Sequence, residues 1–247
     1  MCPFFPNTSP YRELTWLNPY KELGKRFREF SILSLIYAFF AVVDILRNTN
    51  IMGIIGISIF IYQVLFGSNA KKAAREFNHP VLSQFGTFII LSFVLYLVSI
   101  CINIIPTVYV LMSNATTGSL YITPYSLASA IVEICSIALQ LKAWYSMATF
   151  YQATEVPDIQ ARGMKWTRLV INTIFIELGE VVLLGIPLAI MKSVIDLSTG
   201  SMIVPNSAML FQEIEAASMI VWGILTLIGY FKVGDAFLSL ETSKMPE

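Results

Sequence analysis

The chain has little charge, a single histidine and no paired cysteines. Of its 247 residues only 13% are Asp, Glu, Lys or Arg, and bases and acids balance at 16 each. A soluble domain carries about 25% charged residues. The balance leaves no basic surface for nucleic acid and no net charge to attract an acidic substrate, so no nucleic-acid partner is expected. His79 alone cannot build paired-histidine haem ligation or a histidine-rich metal centre. Cys2, Cys101 and Cys135 form no C-x-x-C pair, which excludes zinc and thioredoxin-type motifs. Cys101 and Cys135 fall in neighbouring apolar stretches and are expected to be free, small packing residues. No G-x-S-x-G, H-E-x-x-H or phosphate-loop pattern occurs, and no aspartate falls in the middle of an apolar stretch. Neither an enzyme nor a bound cofactor is expected. Met1–Asn18 holds Pro3, Pro6 and Pro10 and lacks an apolar run behind a basic start, so the first span itself is expected to direct insertion.

What fills the chain is hydrophobic sequence. Apolar residues make up 56%, and the mean hydropathy is +0.69. Crossing a hydrocarbon core of about 30 Å takes roughly 20 mostly apolar residues. Six stretches read as spans: Phe30–Leu46, Ile51–Phe66, Leu82–Met112, Ser126–Tyr151, Leu169–Met191 and Ala208–Phe237. The expected fold is an all-α, polytopic membrane helical bundle of six transmembrane helices. Pro106 and Pro187 are natural kink or stop points near the far ends of the third and fifth spans. Spacings such as Gly223/Gly229 and Gly179/Gly185 predict close helix approach.

Loop charge predicts orientation. Thirteen of the 16 basic residues fall in the N-terminal segment, the second and fourth loops, and the C-terminal end. The opposite loops hold only Arg47 and Lys192, and Lys142 lies within the fourth span. The positive-inside rule then places both termini in the cytoplasm of a multi-pass plasma-membrane protein, with the uncharged loop after Met112 outside. Asn114-Ala-Thr116 is a glycosylation acceptor on that outer side. Before the first span, Asn18 and Pro19 suit a helix start. Leu23, Phe27 and Phe30 follow at helical spacing among Lys21, Lys25, Arg26 and Arg28, which predicts an amphipathic helix on the inner interface.

An internal repeat divides the chain. Ile105-Pro106 answers Ile186-Pro187; Gly118-Ser119 answers Gly200-Ser201; Glu133-Ile-Cys-Ser136 answers Glu215-Ala-Ala-Ser218. Trp144-Tyr145 with Glu155 answers Tyr230-Phe231 with Glu241. Two copies of one hairpin, roughly 81–155 and 163–241, follow from this. The expected organisation is an N-terminal segment 1–29, then tandem parallel helical hairpins 30–80, 81–160 and 161–241, then a tail 242–247. Hairpins that close on a glycine/aromatic helix such as Ile228–Leu240 resemble an uncharacterised archaeal family of multi-spanning membrane proteins. The resemblance covers most of the chain after residue 30, implies a membrane helical bundle and brings no activity with it.

Ionisable residues inside spans cost about 2.5–3.5 kcal/mol each on insertion scales, so those present invite explanation. Glu133, Lys142, Glu177 and Glu180 are the candidates; Asp44, Glu213 and Glu215 fall near outer helix ends, within reach of water. Glu177 and Glu180 share a helix face. Lys142 lies nine residues before Tyr151 and Glu177 nine after Arg168, so the two are expected at equal depth as an ion pair. Two functional readings follow. The first is a non-catalytic accessory or structural subunit, or a self-assembling scaffold, whose partners are lipid and other membrane subunits or copies of itself. The alternative is a small transporter or channel with a proton or cation path through Glu177 and Glu180.

Overall fold

A computed structural model describes residues 19–47, 52–77, 79–112, 119–121, 123–191, 194–196 and 207–242. Asn114, Cys2 and the N-cap candidate Asn18 lie outside the described residues, as does the side chain of Asp44. The apolar stretches form long helices: α1 (Pro19–Arg47), α2 (Met52–Phe77), α3 (Pro80–Met112), α4 (Thr123–Gln152), α5 (Pro157–Glu180) and α7 (Ser207–Thr242). Prolines open α1, α3 and α5, where a missing N–H costs nothing. Pro106 sits inside α3 without ending it. After α5 the ladder widens into a π-helical turn, Val181–Gly185, and returns to α-helix in α6 (Ile186–Met191), which contains Pro187.

Four helical stretches are long and apolar enough to cross a membrane: Pro80–Pro106, Pro124–Gln152, Pro157–Leu188 and Leu210–Leu240. Their outward faces carry large exposed aliphatic and aromatic residues, Leu183 and Ile131 among them. That is the surface lipid requires of a membrane-embedded bundle.

The helices close a ring. Each of α1 to α4 packs on the next, α5 packs on α7, and α7 returns to α1. Within lipid there is little hydrophobic drive between helices, so close packing must hold them. Glycines mark the crossings. At α1/α7, a methyl group on Gly24 would lie 2.9 Å from the Gly234 carbonyl oxygen, and one on Gly234 would lie 2.7 Å from that of Gly24. Gly67 and Gly86 face each other in the same way at α2/α3, at 2.8 and 2.5 Å. Gly223 abuts Ala38, and Gly229 abuts Val170. The close approach expected of Gly223 and Gly229 is therefore present. That expected of Gly179 and Gly185 is not: nothing lies within 4 Å of a Gly179 methyl, and for Gly185 the nearest atom is its own helix's Glu180 carbonyl oxygen at 3.9 Å.

The start of α1 and the end of α7 meet at one end of the ring. Tyr20 and Phe237 have ring centroids 6.1 Å apart, and Arg28 Nε donates to Asp235 Oδ1 at 2.8 Å. The α2/α3 turn arrives there too, with His79 against Phe150 at 5.5 Å. At the other end a short ribbon joins the two long loops: β1 (Ser119–Tyr121) pairs antiparallel with β2 (Val194–Asp196), Leu120 opposite Ile195. The repeat would match β1 with residues 201–203, so the ribbon ties non-equivalent segments.

The apolar stripe of Leu23, Phe27 and Phe30 turns inward, onto the other helices. It is 0–4% exposed, buried against the bundle in a helix that runs unbroken to Arg47.

Candidate functional site

The half of the ring nearest the termini is filled by aromatic rings. Phe27 (α1) meets Phe66 (α2) edge-on at 4.3 Å and stacks on Phe237 (α7) at 5.4 Å. Trp144 (α4) meets Phe85 (α3) at 5.5 Å and Tyr230 (α7) at 4.9 Å. Aromatic pairs contribute about 0.5–1.5 kcal/mol each beyond area burial, so this plug is a firm closure. Burial pushes the Tyr20 hydroxyl, at its outer margin, up to about 12.

Above the plug the ring holds a cavity of about 330 Å³. Every long helix contributes to its wall through one helical face. On α7 the lining residues are Glu215, Met219, Trp222, Thr226 and Tyr230, a stripe at three- and four-residue steps. On α5 the stripe is Val170, Thr173, Ile174, Glu177 and Glu180, continuing through Val181 and Gly185 of the π turn. From α4 come Ser126, Ser129, Glu133 and Gln140; from α3, Phe93, Tyr96 and Asn103; from α1, Phe30, Ser34 and Tyr37; from α2, Gln63.

Hydrogen bonds order these walls. Trp222 Nε1 donates to Glu177 Oε2 at 3.2 Å. The Tyr37 and Tyr96 hydroxyls pair at 2.9 Å, and the Tyr37 ring lies edge-on to Trp222 at 6.2 Å. Ser99 and Ser129 pair at 2.7 Å, and Asn103 Nδ2 donates to Ser129 Oγ at 2.7 Å. Of the described lining residues, Gln63 Oε1 and Glu180 Oε1 stay buried without a hydrogen-bond partner. An orphaned buried acceptor costs about 1–3 kcal/mol, which marks these as places for a donor from outside the chain.

Three of the four sequence candidates come together here: Glu133, Glu177 and Glu180 all line the cavity. Lys142 does not. It is exposed on the outside of the bundle, with Nζ 4.5 Å from the Phe88 ring centroid. The expected Lys142–Glu177 ion pair is absent because α4 turns Lys142 outward, whereas Glu177 on α5 lines the cavity. Among the described residues, none of Glu133, Glu177 and Glu180 forms an ion pair. Glu215 joins them in the wall, although its position near a helix end suggested bulk water. Glu213, two residues earlier, is exposed as expected. Cys101 and Cys135 are free, but exposed rather than packed.

The sequence reasoning missed the aromatic wall of Tyr37, Tyr96, Trp222 and Tyr230. The signal was the helical spacing of polar and aromatic residues along α7. Among the described residues no group of three histidine, cysteine or acidic side chains is placed to hold a metal ion. The arrangement combines several carboxylates with aromatic rings and hydroxyls, and among the described residues no lysine or arginine contributes to the lining. Chemically it can accept protons or bind a cation. Comparison with known protein families, with characterised proteins and with solved structures finds no match to this chain.

Proposed function

We propose that this chain is a non-catalytic membrane carrier. It takes up a proton or cation in the central cavity, with six helices crossing the bilayer and both termini in the cytoplasm. One observation carries the reading: Glu133, Glu177 and Glu180, with Glu215 in the same wall, line a 330 Å³ space to which no lysine or arginine among the described residues contributes. A purely structural subunit has no use for acids that are costly in lipid, and among the described residues Glu133, Glu177 and Glu180 form no ion pair. A site that exchanges a positive ion needs them in that form.

The aromatic plug favours a carrier over an open channel, because packed rings of the described residues fill that half of the ring. Access would then alternate by movement of the walls. The segment around Glu180 suits such movement: Gly179 has free space beside it, and the π turn leads directly to Pro187. π turns inside helices recur at functional sites, and proline weakens the ladder it joins.

The test is flux in proteoliposomes for a panel of protons, rubidium and choline. Glu177→Gln and Glu180→Gln are expected to slow the transported member at least ~10-fold, a loss of about 1.4 kcal/mol or more. Flux unaltered by both variants, or no flux of any member through the unmodified protein, removes the carrier reading.

A further inference from the structure

The cavity wall also defines which cation it suits. A small metal ion demands about six oxygen ligands in a tight shell, and among the described residues no acidic cluster is placed to supply one. A proton alone needs no cavity of 330 Å³, a volume within the ~300–1,000 Å³ range of small-molecule sites. The remaining chemistry lies in the rings. Phe30, Tyr37, Phe93, Tyr96, Trp222 and Tyr230 all line the space that the carboxylates face. Tyr37 and Trp222 are in ring contact, and the Trp222 indole N–H is committed to Glu177. One carboxylate is thus fixed in place beside a cluster of π-systems.

Aromatic walls with an acid among them suit a positive charge dressed in alkyl groups. Such an ion is weakly hydrated, so it loses little on entering. It gains from both the ring quadrupoles and the carboxylate. The unpartnered oxygens of Glu180 and Gln63 add acceptors for a hydroxyl or N–H elsewhere on the same molecule.

We infer that the cavity is a binding site for a small organic ammonium ion, its charged head beside Glu177 within the Tyr37, Tyr96 and Trp222 wall. The inference rests on the carrier reading for its biological use, but its test is binding and needs no transport. Choline is the probe, titrated calorimetrically into the purified protein in detergent micelles at fixed ionic strength. Its uncharged carbon isostere, in which a quaternary carbon replaces the nitrogen, is the control on the same unmodified protein.

Choline is expected to bind at least ~10-fold more tightly than the isostere, within the range of a desolvated cation–π contact plus one carboxylate. Trp222→Leu is expected to weaken it ~10-fold and Trp222→Phe less, with each variant first shown to elute as the parent does. Equal affinity for choline and isostere, or no binding of choline, overturns the inference. Should choline fail to bind while proton or rubidium flux still depends on Glu177, the carrier reading stands and this inference alone falls. Should choline bind through Trp222 while nothing crosses the membrane, the site stands and the carrier reading falls.

Discussion

Replacing Gly234 with alanine tests how the ring is closed. The new methyl carbon would sit 2.7 Å from the Gly24 carbonyl oxygen and 3.1 Å from both Phe27 Cβ and Arg28 Cγ. The nearest of these is backbone, which cannot rotate aside, so α1 and α7 must separate. Overpacking of this kind costs about 1–3 kcal/mol. Alanine also gains about 1 kcal/mol of helix propensity over glycine, which would blur the result if measured alone. Gly179→Ala supplies the control. It lies in a helix as well, and its methyl meets nothing within 4 Å. Propensity is common to both variants, so their difference isolates the packing term. Gly234→Ala is expected to be less stable than Gly179→Ala by about 1–3 kcal/mol. The assay is equilibrium unfolding in mixed micelles of rising denaturing-detergent fraction, followed by far-ultraviolet circular dichroism. Equal stability of the two variants would refute the close α1/α7 crossing.

Other expectations follow from the same structure. Arg28 and Asp235 are partly exposed and joined across α1/α7, with side chains 40% and 30% accessible. A double-mutant cycle to alanine should give a coupling below about 1 kcal/mol after solvent screening; a much larger value would mean the pair is shielded by lipid or a partner. Tyr37→Phe with Tyr96→Phe removes the 2.9 Å hydroxyl pair; each single variant should lose about 1 kcal/mol of stability and the double little more than either single. Additive losses would contradict a direct bond. Lys142→Gln should leave flux unchanged, since its ammonium group lies against Phe88 outside the ring; a large change would restore a role for the pairing with Glu177.

Much of the fold was legible. Helix extents, the prolines that open helices and the clustering of basic turns at one end all follow from hydropathy, backbone chemistry and loop charge. Partner choice was not. The stripe Leu23, Phe27, Phe30 among lysines and arginines reads the same whether it meets lipid or a helix. Only the matching glycine on α7, Gly234, points to the true neighbour, and a lone glycine does not name its partner. Four helical stretches meet the length and hydropathy of a span.

The site was legible in part and for a physical reason. Acids buried in apolar sequence stand out, so Glu133, Glu177 and Glu180 could be named from the chain alone. Glu215 was discounted by its distance from a helix end, yet it falls on the stripe of Met219, Trp222, Thr226 and Tyr230. Lys142 was misread because depth is countable along a sequence, whereas the direction a side chain takes around its helix depends on which neighbours that helix finds. Aromatic residues carry the least signal of all, since a tryptophan facing lipid and one facing a cavity look alike.

The most direct measurement of the central claim is the charge preference of the cavity itself. Met219 lines the wall between Glu215 and Trp222. Met219→Cys, in a chain whose Cys2, Cys101 and Cys135 are replaced by serine, gives one thiol to time. Its rates with a cationic and an anionic methanethiosulfonate of equal size, each scaled to a free thiol, report the local field. An accessible cavity lined by acids, with no base among its described lining residues, predicts that the cationic reagent reacts at least ~10-fold faster. Equal scaled rates, or a thiol that neither reagent reaches, would contradict it.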